Sequence, residues 1–445
     1  MVDALAKQTQ SPKRRRRSFK RSKQAEFSED AGAWRSYMGV VLSLATCIDT
    51  LANASAVPFV TLYSASIPLS LWSLTLDQAL LFFPQLWSSL VADRFARRIN
   101  GVTAYATTLL VTAISIFVRA NALRDHSLFL YLFARLINGL FRHTVLFNAL
   151  AVHELSGASK GYDAKKVVIF SLIVAMLFGG ALGDYVADVA FATNILASME
   201  CAAALTLILL SFKCKCRSKT VAAVPTVNAY KNWLMKQSSH WIPAFAPSTL
   251  SASYGSMIQC MYPFIDRQIF HLDYVFIGLH LAVVIIVQAV LAPFVVKRYG
   301  KMNQWMIHVC AAFLSVGAWT SPWVTDNGLA MYFCTTLLFT DFSAAVLELM
   351  FSSVAEDGFK ASEKAFASTL HRHVKQSVKQ WSRIFLVSIH TMLSNREDAT
   401  RVATMPIAVG LVAFIFTRHT RVALVVVPLT AWTLVASPPL NSKAI

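Results

Sequence analysis

Ser88-Ser89-Leu90-Val91-Ala92-Asp93-Arg94-Phe95-Ala96-Arg97-Arg98-Ile99-Asn100-Gly101-Val102 joins two apolar runs, 69–92 and 99–120. Each run is about long enough to cross a hydrocarbon core of roughly 30 Å as a helix. A turn of this size cannot lie in lipid, because its free backbone groups would go unpaired. It therefore belongs at the water interface, with its arginines among the headgroups. Asp93 then stands at a helix end beside Arg94, Arg97 and Arg98, where opposite charges can latch two helices together.

The rest of the chain extends that hairpin. Of 445 residues, 56% are hydrophobic, 30 are Phe and only 14% are charged, which is more apolar surface than a soluble domain can bury. Apolar runs recur near 36–62, 69–92, 99–120, 127–152, 166–188, 190–212, 243–265, 274–296, 303–324 and 329–354, and less cleanly near 369–394 and 402–417. Twelve spans place every second loop on one side. One set of loops holds Arg94, Arg97 and Arg98, then Lys160 to Lys166, Lys213 to Lys236, Lys297 to Lys301, and Lys360 with Lys364. In the opposite set the bases are offset, as Arg124 is by Asp125 and Arg267 by Asp266 and Asp273. The positive-inside rule makes the first set and both termini cytoplasmic, so a multi-pass protein of the plasma or an endolysosomal membrane is expected.

Residues 1–33 are polar and carry the run Lys13 to Arg17, so a disordered basic tail is predicted. Much of the net charge of +18 sits there and describes the tail, not the cargo. Nucleic-acid binding would need a folded reader, and none is predicted. The seven cysteines fall mostly within apolar runs, which argues against a disulfide framework. Cys214 and Cys216 lie among basic residues beside a helix end. The sequon Asn53-Ala54-Ser55 falls inside the first span and is not expected to be glycosylated.

An internal repeat organises the spans. Ala92-Asp93-Arg94-Phe95-Ala96-Arg97 is echoed by Val296-Lys297-Arg298-Tyr299-Gly300-Lys301, placing Asp93 and Lys297 204 residues apart. Pro58 and Pro263, each followed by Phe, are 205 apart, and so are Lys213 and Arg418. Three landmarks at an offset of 204–205 predict an all-α membrane protein of two six-helix bundles. The expected layout is 34–212 and 241–418, joined by a linker at 213–240, with 419–445 an apolar segment of open placement.

The loop 88–102 resembles the signature G-x-L-A-D-R-x-G-R-R of the major facilitator superfamily. It is matched by Ser89, Val91, Ala92, Asp93, Arg94, Ala96, Arg97 and Arg98, with small residues where the signature has glycines. Arg135 and Gly139 resemble its fourth-helix motif R-x-x-x-G. Gly179-Gly180-Ala181-Leu182-Gly183 resembles the fifth-helix motif G-P-x-x-G of its tetracycline-resistance-like drug:proton antiporters, with Gly180 in place of the proline. The resemblance implies about twelve helices and alternating access by rocking of the halves. It also implies a cavity lined by the first and fourth helices of each half.

Ionisable groups inside a membrane each cost at least about 2.5–3.5 kcal/mol at the centre, so they should face a partner or a wet cavity. Arg135, Asn138 and Arg142 share one face of the fourth helix, opposite which Asp49 of the first is expected to pair with Arg142 or Arg135. Asp341 and Glu348 share a face of the tenth helix. Antiparallel placement of the eleventh would set Asp341 level with Arg383, and Glu348 level with Lys375 and Lys379. Asp49, Arg135, Asn138, Arg142, Asp341 and Arg383 are the expected coupling and cavity residues. Asp93, Arg94, Arg97, Arg98 and Arg298 are the expected conformational latch. Ser171, Ala175, Gly179 and Gly183, every fourth residue, form a small-residue stripe that lets a neighbouring helix approach closely.

Residues 361–383 also read as an amphipathic surface helix, an alternative layout for that run. No metal-spaced cluster, nucleotide loop or nucleophile motif occurs, so neither a cofactor nor an enzymatic activity is expected. The expected function is secondary active transport of a small organic solute, proton-coupled, by a monomer whose partners are lipid, solute and protons. The alternative is a transport-inactive membrane scaffold or sensor on the same fold.

Overall fold

A computed structural model describes residues 39–66, 76–77, 79–81, 84, 101–141, 164–186, 188–213, 244–299, 304–320, 328–357, 359, 364–392, 396–417, 426–427 and 429–430, and no strand occurs among them. The helices, in chain order, are α1 (Gly39–Ala54), α2 (Val60–Ser66), α3 (Gly101–Arg124), α4 (Leu128–Phe141), α5 (Ala164–Tyr185) and α6 (Val189–Lys213). They continue with α7 (244–259), α8 (Tyr262–Gln268), α9 (Tyr274–Tyr299), α10 (Gln304–Thr320), α11 (329–357), α12 (Lys364–Met392) and α13 (Arg396–Thr417). Five of the described helices are long and apolar enough to cross a membrane. The ends of α5, α6, α9 and α11 fall within three residues of the apolar runs at 166–188, 190–212, 274–296 and 329–354.

Polarity in this bundle is arranged for lipid. Asp266, Asp341, Ser248, Ser343 and Thr112 are completely buried, whereas Phe129, Phe416 and Phe294 are 80%, 74% and 66% exposed. A hydrocarbon solvent offers no hydrogen bonds, so these polar groups turn inward while these phenylalanines face out. Many buried hydroxyls bond back into their own helix, as Ser55 Oγ does to Leu51 O at 2.6 Å and Thr46 Oγ1 to Leu42 O at 2.8 Å. Buried alanines such as Ala52, Ala104, Ala120, Ala197 and Ala204 keep the helix axes close.

The two prolines of the repeat act alike. Neither the first nor the seventh apolar run is one continuous helix: turns at 55–59 separate α1 from α2, and turns at 260–261 separate α7 from α8. In each case the first segment ends four residues before the proline, at Ala54 and at Gln259. That is the position whose carbonyl a proline ring obstructs and whose hydrogen bond it cannot supply.

α5 and α9 approach each other closely. A methyl group at Gly180 would sit 2.6 Å from Tyr274 O, and one at Gly278 would sit 2.4 Å from Met176 O, so each glycine admits the other helix's backbone. Asp184, at the end of α5, accepts the first two amides of α9: Tyr274 N–H to Oδ1 at 2.9 Å and Val275 N–H to Oδ2 at 2.8 Å. One helix thus caps the other with a carboxylate on its positive end.

α12 is a member of the bundle. Ala367, Leu370, Leu386 and Ile389 are buried, and the helix packs on α11 and α13. Ser248, Ser253 and Ser256 of α7 meet His371, Ser382 and Arg383 of α12 in rising order, so these two helices run parallel. The surface-helix alternative for 361–383 does not describe this packing.

Candidate functional site

Asp341 lies at the middle of the apolar span Leu329–Ala355 and is fully buried. Its carboxylate accepts three hydrogen bonds: from Gln259 Nε2 at 2.7 Å, Gln288 Nε2 at 2.8 Å and Tyr262 Oη at 2.7 Å. Every element that supplies one is irregular at that point. Gln259 ends α7 and Tyr262 begins α8, on either side of the proline-associated break. Gln288 and Asp341 sit in π-helical segments of α9 and α11, Val287–Leu291 and Thr335–Phe342. A π turn carries one extra residue in the ladder and so rotates the side chains that follow it, a device frequent at functional sites.

Beside this cluster lies a second buried couple. His280 Nδ1 and Asp266 Oδ2 are 2.8 Å apart, with side chains 1% and 0% exposed. The His280 ring packs 4.9 Å from that of Tyr262 and 4.8 Å from that of Phe333. Asp266 had been expected in a loop, offsetting Arg267. It lies instead on the inner face of α8, and Arg267 turns outward to Asp273 and to the carbonyl of Leu272.

In the first half, Arg135 does not take Asp49 as its partner. It grips Asp77 with both ends of its fork, Nε to Oδ1 and Nη2 to Oδ2 at 2.8 Å. Gly139, one turn on, faces the same stretch of chain, where a methyl group would lie 2.3 Å from Leu80 O. Both residues of the R-x-x-x-G motif therefore serve one contact: the glycine lets the backbone in and the arginine closes the charge. Asp49 is buried, and its Oδ1 accepts from Asn53 Nδ2 at 3.0 Å. Asn138 is buried too, with its Oδ1 meeting no donor among the described residues. Arg142 lies outside the described residues.

The second-half pairing differs in the same way. Glu348 takes both Lys375, at 2.8 Å, and Lys379, at 3.1 Å, as antiparallel placement of that run implies. Arg383 does not pair with Asp341. It reaches α7 one turn earlier, its Nε donating to Ser256 Oγ at 2.7 Å, because parallel packing of α12 on α7 sets its height.

Of the small-residue stripe, Ser171 and Ala175 are fully buried. A methyl group at Gly179 would sit 2.0 Å from Ser55 O, and one at Gly183 would sit 2.7 Å from the Tyr274 side chain. The stripe thus receives the α1–α2 break on one side and α9 on the other. Asp93, Arg94, Arg97 and Arg98 lie outside the described residues. Arg298 is exposed at the end of α9 with no partner among the described residues.

Sequence reasoning missed Gln259, Tyr262, Gln288, Asp77 and the Asp266–His280 couple. Pro263, just past Gln259 and Tyr262, was the available signal for the first two. The π segments leave no mark in the hydrophobic pattern.

No protein-family model matches the sequence, and no curated protein is significantly similar to it. The solved structures give a different result. A variant of the nucleoside transporter NupG matches with a TM-score of 0.66 at 14% identity, covering 90% of this chain and 99% of that one. A bacterial homolog of the human lysosomal transporter Spinster, inward-facing and unoccupied, matches with a TM-score of 0.60 at 11% identity, over 90% and 98%. A D-xylose–proton symporter matches with a TM-score of 0.55 at 13% identity, over 85% and 96%. The likeness covers nearly the whole of each chain, and the protein has the major facilitator fold.

Proposed function

We propose that the protein is a secondary active transporter of a small organic solute, driven by protons, in which halves 34–212 and 241–418 rock about a central cavity. The observation that carries this reading is Asp341, a carboxylate buried at mid-span whose hydrogen-bond donors are all neutral. Burial of an unpaired anion is costly, and a proton removes that cost. A site that alternately meets water and is sealed from it therefore has reason to load and unload one. The broken α7–α8 and the π segments of α9 and α11 give the cluster local freedom to rearrange as it does so.

Asp49, with Asn138 and Arg142, is the corresponding candidate in the first half, and Arg135 ties α4 to Asp77. The loop residues Asp93, Arg94, Arg97 and Arg98, with Arg298, are assigned to a cytoplasmic latch. Both termini are assigned to the cytoplasm and the working unit to a monomer in the bilayer. The G-G-A-L-G stretch at 179–183 favours antiport, as in the drug:proton exchangers whose motif it resembles.

The similar folds handle solutes as different as nucleosides and D-xylose, so the test begins as a screen. Purified protein in liposomes is assayed for flux of nucleosides, sugars, dipeptides, organic acids and cationic drugs, with and without a pH gradient. Accumulation of at least one solute that depends on the gradient, and that is lost in Asp341→Asn or Asp49→Asn, is expected. Gradient-driven accumulation intact in both variants would remove proton coupling through these groups.

A further inference from the structure

The transport reading leaves the cargo undefined, and Arg383 bears on it. Its depth follows from the site. Gln259 bonds to Asp341 at mid-span, and Ser256 lies three residues earlier on the same helix, about 4.5 Å along its axis. Arg383 bonds to Ser256, so its guanidinium lies close to the membrane centre. Its direction follows from its neighbours. Trp381 and Phe385, 52% and 49% exposed, stand on the outer face of α12. Arg383, two residues from each, points about 200° away from them, into the protein. It is nonetheless not fully buried, so part of the residue remains accessible.

A cation at that depth calls for a counter-charge. Arg135 has Asp77, and Lys375 and Lys379 share Glu348. Arg383 bonds only to a neutral hydroxyl, and among the described residues no carboxylate meets it; Asp341 is held by amides and a phenol. Ser256 occupies Nε alone and leaves the two Nη groups, the part of the fork that grips an oxyanion side-on. Lys375, Lys379 and Arg383, at successive fourth residues, also make one face of α12 a row of three cations against the single carboxylate of Glu348.

We infer that Arg383 is the counter-ion for an anionic group on the transported solute, so that the cargo is a small organic anion bearing a carboxylate, phosphate or sulfonate. This rests on the transport reading for the word cargo; binding at Arg383 does not. Ser256 is a positioning residue that fixes the fork by its Nε.

The test uses the full chain, purified in detergent and in liposomes. Thermal unfolding is followed with benzoate, succinate and glycerol 3-phosphate, against uridine, xylose and tetraphenylphosphonium at equal ionic strength. At least one of the anions should raise the unfolding temperature, and the neutral and cationic probes should not. Arg383→Lys keeps the charge but loses the fork, and should weaken that anion's binding severalfold. Arg383→Gln should remove it. If Arg383→Gln does not fold, the lysine variant alone decides, since unchanged anion affinity in it overturns the proposal. Stabilisation by uridine, xylose or tetraphenylphosphonium without any response to anions also overturns it. So does a response to phosphatidylglycerol vesicles but to no soluble anion, which would make the ligand a lipid headgroup. Arg383-dependent binding without flux would keep the site and discard transport. Flux of a neutral solute untouched in Arg383→Gln would keep transport and discard the anion.

Discussion

Two buried acids, one in each half, are held by different means. In the first, Asp77 is gripped by Arg135 in a two-pronged ion pair, on helices that Gly139 brings into backbone contact. In the second, Asp341 is surrounded by donors that carry no charge, at the irregular ends and turns of three helices. A buried ion pair is a closed account: neither partner can change charge without leaving the other exposed to low dielectric. A carboxylate held by amides and a phenol has no such constraint, and can gain or lose a proton while its neighbours reorient. The first arrangement holds helices together; the second is suited to switching.

The largest effect should come from Asp341→Asn. The amide has the shape of the acid, so folding should change by only about 1 kcal/mol, the worth of one hydrogen bond. Gradient-driven accumulation should nonetheless fall to simple equilibration, while exchange between equal pools persists. Measuring both in the same liposomes separates coupling from binding. Full accumulation in this variant would put the two halves on an equal footing and move the coupling role to Asp49.

Asp77→Ala should do the reverse. It strands Arg135 in the interior and should cost about 3–5 kcal/mol of stability, read as a lowered unfolding midpoint in detergent. Replacing Arg135 as well should restore part of that loss, since a double-mutant cycle then removes both charges. A stable Asp77→Ala protein with no flux would show that the first-half pair also takes part in the cycle.

How these sites could be read from the sequence follows the same division. The spans, the repeat and the R-x-x-x-G contact are written in local patterns: apolar length, loop charge and residue spacing. Pro58 and Pro263, visible only as a repeated landmark, turn out to break both spans at matching places. Charge partners are not local. Arg135 was legible as a buried cation, but Asp77 is 58 positions away, in a stretch whose face could not be phased from its polar residues. Glu348 found its lysines because Lys375 and Lys379, one turn apart, share the face of α12 that meets α11, whereas Arg383 bonds to Ser256 of α7 instead of Asp341. The donors of Asp341 were hidden for a further reason, since glutamines and a tyrosine in an apolar run look like ordinary tolerated polar residues until a proline break or a π turn aims them.

A third variant probes the contact between the halves. Gly278→Ala puts a methyl group 2.4 Å from the Met176 carbonyl, a backbone atom that cannot swing aside. Overpacking of this kind costs about 1–3 kcal/mol, but only in the conformation where α5 and α9 touch. The expected result is a shift toward the conformation in which they part, seen as a longer distance between spin labels at positions 185 and 276, which are exposed near the facing ends. An unchanged distance together with a lower unfolding midpoint would mean that the contact persists throughout the cycle.

The smallest effect belongs to Asp184, and it tests the same contact more gently. Its carboxylate receives the amides of both Tyr274 and Val275, at the end of α9 where the first N–H groups lack partners within their own helix. Asp273, which stands at the capping position of α9, makes no side-chain bond there, so α5 supplies the cap. Asp184→Asn keeps one acceptor oxygen but turns the other into an amide donor that faces a backbone N–H, and removes the negative charge from the positive end of the helix dipole. Loss of such a cap is worth about 1 kcal/mol. That free energy corresponds to roughly a fivefold change in a two-state ratio. If the cap forms only when this side is closed, the label distance at 185 and 276 should shift toward the open population by about that factor, with total stability nearly unchanged. If the cap is permanent, the distance should stay fixed and the unfolding midpoint should carry the whole loss. The two outcomes separate a gate from a hinge at the one place where described helices of the two halves exchange a charge-assisted bond.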